Sequence, residues 1–264
     1  MNAKNKKITF TAGVICFASA TAFAVADAFF HNGLQGSAAL KVGLAVEACE
    51  CLFLTVAVVC AIRLLDYILG VKPRGGVAPF LLGLAIAAAN FPLIPLINGG
   101  LTLVGDSLDI ALFALSCAAT GALEETLFRG LVFPVTGHFF RKVKFGETYA
   151  LIIASAIFAL SHLLNLFVGA GVGATLMQVG YSFLIGCVCS VVLIASRSII
   201  LPVIVHALFN FGGTLSSAGV ATGNHWDLPS IIIMACVAVV AGVFLALYYF
   251  KNLKKAREYL GLES

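Results

Sequence analysis

Apolar residues run through this chain in blocks of about twenty or more, broken by short polar stretches that hold most of the charge. A helix needs about 20 apolar residues to cross a bilayer. The blocks are continuous rather than alternating, which excludes a transmembrane β-barrel. The pattern predicts eight spans, at about 8–30, 39–63, 77–97, 107–136, 148–168, 174–196, 199–218 and 228–250. The expected fold is therefore all-α, a polytopic transmembrane helical bundle forming a single integral membrane domain over 1–264. No connecting stretch exceeds about a dozen residues, so any function has to reside in the helices themselves. The third block carries Asn90, Pro92 and Pro95. Proline removes a backbone donor and clashes with the preceding turn, so this span is expected to bend or end early.

Composition agrees with the pattern: 61% of the 264 residues are hydrophobic, 11% are charged, and the mean hydropathy is +1.07. With the amino terminus in the cytoplasm, fourteen of the sixteen basic residues fall on one side, and only Lys41 and Arg129 do not. That asymmetry predicts cytoplasmic amino and carboxyl termini. The net charge of +4 is thus a topology signal, and no nucleic-acid partner is expected. The first block has the basic start and small-residue end of a signal peptide. Its length favours an uncleaved anchor. The eight cysteines all fall inside expected spans, with no CxxC, and read as small packing residues.

Charge inside a span is the informative exception. A charged residue at a helix centre costs about 2.5–3.5 kcal/mol to insert, yet "EETLFR" (124–129) places two glutamates and an arginine in the fourth span. Glu125 and Arg129 are four residues apart in the favourable order for a helical ion pair. Glu124, turned about 100° from Glu125, faces a different neighbour. The fifth span offers Phe158 and His162 in "FALSH", and the seventh offers His206 and Asn210 in "HALFN". At 1.5 Å per residue, His162, His206 and Asn210 lie about 21, 12 and 18 Å from the cytoplasmic ends of their spans. Glu124 shares that level, near 18 Å, only if its helix runs on to about residue 136. His31, His138 and His225 fall in loops or near helix ends.

A buried carboxylate beside a histidine can hold and deprotonate a water. A second histidine and an asparagine amide can donate to a developing oxyanion. Glu124, His162 and His206 are also the ligand types of a catalytic zinc site, although HExxH is absent. Glu47 and Glu50 lie three apart on one face of the second span, either protonated and hydrogen-bonded or lining a polar cavity.

The three motifs EExxxR, FxxxH and HxxxN, present in that order as 124–129, 158–162 and 206–210, resemble those of the CPBP intramembrane protease family. That family contains type 2 CAAX prenyl proteases and bacteriocin-processing relatives. The resemblance implies a catalytic core at about 107–218, with Glu124 as general base and His162 positioning the water. It implies an oxyanion site from His206 and Asn210, and a supporting or substrate-binding set of Glu125, Arg129 and Phe158. A metal-free reaction is favoured, with no cofactor; zinc stays open as the alternative, on Glu124, His162 and His206.

The resulting expectation is an intramembrane endopeptidase, multi-pass in a bacterial cytoplasmic membrane. Its partners are the lipid bilayer and a membrane-embedded or lipidated peptide substrate. Two other readings stand beside it. One is a non-proteolytic membrane scaffold or bacteriocin-immunity factor. The other is a proton-coupled transporter using Glu47, Glu50 and Glu124 as a relay.

Overall fold

The computed structural model describes residues 3–30, 36–65, 67, 69–224 and 226–262. Among the described residues the regular structure is helical apart from one short antiparallel ladder. Its elements are α1 (Ala3–Phe30), α2 (Gly36–Leu64), α3 (Val77–Ala89), α4 (Leu93–Asn98), β1 (Leu101–Leu103) and α5 (Ser107–Leu127). A π-helical turn (Phe128–Val132) leads into α6 (Phe133–Phe139). Then come α7 (Gly146–Ser161), a 3-10 segment (His162–Val168), α8 (Val172–Ser196), α9 (Ile200–Gly213), β2 (Ala221–Gly223), α10 (Leu228–Lys251) and α11 (Leu253–Tyr259).

Among the described residues, six helical stretches are long and apolar enough to cross a membrane: Gly36–Leu64, Val77–Asn98, Ser107–Phe139, Gly146–Phe167, Val172–Ser196 and Leu228–Lys251. The protein is an integral, multi-pass membrane protein. The expected span at 8–30 falls within α1. The expected span at 199–218 does not form one long helix. Its helical part is α9, of 14 residues, or about 21 Å against a hydrocarbon core of about 30 Å. Thr214 ends it, and turns lead to β2, which pairs with β1 in the register Leu101↔Gly223.

The prolines of the third block act as expected. α3 stops at Ala89, Pro92 precedes α4, and Pro95 lies within α4. The break delivers Asn90, 3% exposed, to the end of α9, where its Nδ2 donates to the Phe209 carbonyl at 2.7 Å. α9 accepts this close partner because Gly212 and Gly213 carry no side chain; a Cβ on Gly213 would lie 2.5 Å from that amide nitrogen.

α8 is the inner helix: 67% of its apolar stretch is buried, against 11% for α2. Val188, Cys189, Val192 and Ile194 of α8 join Phe128, Phe133, Phe158 and Val205 in the main core. A second apolar cluster, including Leu44, Phe113, Cys117 and Leu215, packs α2 and α5 against the turns after α9.

Candidate active site

The site begins with the placement of α5. Asp106 caps it, accepting from the backbone nitrogens of Leu108 and Asp109, while Asp109 reaches back to the Asp106 nitrogen. This capping box satisfies the orphan donors of the first turn. Lys41 of α2 pairs with both carboxylates, at 2.8 Å to Asp106 and 3.2 Å to Asp109, and ties the two helices together. These contacts hold the Asp106 carboxyl down at about 2, the Lys41 hydrogen bond being the largest cause.

From that cap the helix runs without a break to Leu127. Gly121 faces α9 so closely that a Cβ there would lie 3.2 Å from the backbone nitrogen of Ala207. This approach puts the glutamates of the next turn beside His206. A π turn precedes Pro134. Pro134 has no N–H to give the carbonyl four residues back, and its ring crowds that carbonyl. The helix widens, and Phe133 donates to Phe128, five residues earlier. The continuous stretch reaches Phe139, the longer helix on which the shared level of Glu124 depended.

Glu125 and Arg129 pair at 3.0 Å, with side chains 0% and 2% exposed. The expected Glu124–Glu125 asymmetry is present, but both acids meet one partner. His206 Nδ1 lies 2.7 Å from Glu125 Oε1, and its Nε2 lies 3.2 Å from Glu124 Oε2. A proton on each ring nitrogen satisfies both contacts at once. Glu125 is sealed from solvent, whereas the Glu124 side chain keeps 23% exposure. Sequence spacing separated the two acids by direction and did not show that one imidazole would join them.

Phe158 is wholly buried at the centre of the group. Its ring meets His162 edge-on at 5.1 Å and His206 edge-on at 5.6 Å, with the Arg129 guanidinium 4.5 Å from its centre. Neither Nη of Arg129 has a hydrogen-bond partner among the described residues, so the ring face supplies a cation–π contact where directed hydrogen bonds are missing. Gly186 of α8 makes the space: a Cβ there would stand 3.2 Å from Arg129 Nη2 and 3.3 Å from Phe158 Cδ1. His162 Nδ1 lies 3.1 Å from the Phe158 carbonyl. A carbonyl only accepts, so Nδ1 carries the proton and Nε2 is left to accept.

Glu124, His162, His206 and Asn210 all line one cavity of about 460 Å³. Glu125, Arg129 and Phe158 stand behind it. The cavity also takes in Thr120, Asn165, Gln178, Tyr181 and Ser182, none singled out from the sequence. Asn165 donates to Gln178 at 2.8 Å. For Thr120 the sequence signal is a polar stripe: Ser116, Thr120 and Glu124 recur every four residues on one face of an otherwise apolar helix. Glu47 both lines the cavity and accepts from Ser116 at 2.6 Å. Glu50 is not among the cavity-lining residues. His138 ends α6 beside Arg141, 3.1 Å away; His31 and His225 lie outside the described residues.

Among the described residues no three His, Cys, Asp or Glu side chains are grouped to hold a metal ion. Both nitrogens of His206 already face carboxylate oxygens. The described cysteines are all free thiols.

Neither a curated protein nor a solved structure matches the chain. A family model described as type II CAAX prenyl endopeptidase Rce1-like matches residues 106–212, from the Asp106 cap to the end of α9, and so takes in all three motifs. Over that segment the chain is similar to the Rce1-like type II CAAX prenyl endopeptidases, in agreement with the family that the three motifs resemble.

Proposed function

We propose that the protein is an intramembrane endopeptidase that hydrolyses a peptide bond of a membrane-associated substrate with a water activated by Glu124. The observation that carries this reading is the division of labour between adjacent acids. Glu125 is sealed against Arg129 and His206, while Glu124 touches His206 and still reaches the cavity.

A water between Glu124 and His162 gives its proton to the Glu124 carboxylate as its oxygen adds to the scissile carbonyl. The His162 lone pair on Nε2 orients that water. The oxyanion takes hydrogen bonds from the Asn210 amide and from the Nε2 proton of His206, which shifts from Glu124 once that carboxylate has accepted the water's proton. As the tetrahedral species collapses, the C–N bond breaks and Glu124 passes the proton to the leaving amine. The products are one carboxylic acid and one amine, which ionise by passing the acid's proton to the amine, and the enzyme is regenerated. No step requires a metal or other cofactor.

The catalytic core is the region of about 107–218 within one membrane domain. Both termini lie in the cytoplasm, and the membrane is that of a bacterium. The test is cleavage of a membrane-anchored peptide library by the purified protein in liposomes. Cleavage that survives unchanged in Glu124→Gln and His162→Ala variants rules out the mechanism. No cleavage by any form leaves the non-proteolytic scaffold as the better reading.

A further inference from the structure

The cavity contains a second carboxylate that the chemistry above does not use. Glu47 lies on α2, outside the segment 106–212 that the family model matches. It lines the same cavity as Glu124 and His162, accepts from Ser116 Oγ at 2.6 Å, and remains exposed. An ionisable group within a span is costly unless something pairs with it, and one serine hydroxyl brings no counter-charge. Nearby cations are committed elsewhere. Lys41 is held by Asp106 and Asp109, and Arg129 by Glu125. Among the described residues lining the cavity, none is lysine or arginine.

The spacing is informative. Ser116, the anchor of Glu47, stands eight residues before Glu124 on the same helix, or about 12 Å along its axis. An extended peptide covers that distance in about three or four residues. We propose that Glu47 is a specificity-determining residue that takes a lysine or arginine side chain of the substrate, three or four residues from the scissile bond. This inference rests on the endopeptidase reading. The same carboxylate repels a substrate that places a free terminal carboxylate at that spacing, since no cation in the cavity meets it.

The experiment uses the full chain in liposomes and a set of membrane-anchored peptides that differ only in carrying lysine, glutamine or glutamate at each position within four residues of the cleaved bond. The wild type is expected to favour lysine over glutamine by about tenfold in kcat/KM at one position three or four residues away, chiefly through KM. In Glu47→Gln that ratio falls to near one, and in Glu47→Asp it returns in part. A wild-type enzyme with no lysine preference at that spacing, or one that prefers glutamate, overturns the inference without recourse to any variant. A preference that persists in Glu47→Gln also overturns it. In both cases the endopeptidase reading stands, because cleavage has been seen. Absence of cleavage of every peptide by the wild type overturns both.

Discussion

The guanidinium of Arg129 rests 4.5 Å from the centre of the Phe158 ring, and the same ring touches His162 and His206 edge-on. One aromatic side chain thus braces the ion pair and the two imidazoles together. Phe158→Leu keeps most of the apolar volume and removes the quadrupole and the flat edges. The variant is expected to fold, with cleavage reduced about tenfold or more. Phe158→Ala opens a cavity and is expected to lose about 3–5 kcal/mol of stability. Melting in detergent and single-turnover cleavage, measured side by side, check both.

The adjacent glutamates should fail in different ways. Glu124→Gln keeps the shape and a hydrogen-bonding group beside His206, so the melting temperature is expected to hold while cleavage falls by about 10²–10⁴. Glu125→Gln strands the buried Arg129 charge, and breaking one side of such a pair costs about 3–5 kcal/mol. A Glu125→Gln protein as stable as the wild type would show that the Glu125–Arg129 pair does not hold the site together.

Gly186→Ala tests whether the site depends on a gap in α8. The added methyl would press on Arg129, Ser155 and Phe158 at 3.1 to 3.3 Å. Overpacking of this kind costs about 1–3 kcal/mol. The displaced groups orient the histidines, so cleavage is expected to fall along with the melting temperature.

The cap of α5 gives a pH prediction at the membrane surface. Asp106 has its carboxyl lowered from 3.8 to about 2, by the Lys41 hydrogen bond first. A folded value below the unfolded one means the contribution is fully present above about 4. It is lost as pH falls from about 4 towards 2. The wild type should show that loss in melting temperature, and Asp106→Asn should not show it.

Metal removal gives a fourth mechanistic check. Both His206 nitrogens face carboxylates, and the proposed proton transfers all run through Glu124. Cleavage is expected to survive prolonged treatment with a strong chelator. Loss of cleavage, restored by added zinc, would replace the general-base account.

Much of this site is legible in the sequence because membrane insertion makes charge expensive. The Glu125–Arg129 pair follows from a spacing of four, and the shared level of Glu124, His162, His206 and Asn210 follows from counting residues along their spans. The single cavity they line could not be counted. It depends on Gly121 letting α9 come close, and on Gly186 leaving room for a guanidinium, contacts that no local pattern encodes. The shortness of α9 was hidden for a related reason. The residues after Gly213 stay apolar enough to extend a hydropathy block, yet turns and β2, paired with β1, take over their backbone hydrogen bonds. Glu47 was visible as an intramembrane acid, but its partner lay 69 residues away in Ser116.

The widened turn at Phe128–Val132 also separates two registers within one rod. A surplus residue there offsets by about 100° everything that follows it. Below the offset, the rod aims its acids at α9. Beyond it, Phe133 stacks on Tyr259, and Gly137 nestles against Leu260. Deleting one residue from the bulge would leave the molecule able to seat its acids or its carboxyl-terminal latch, and not the two together.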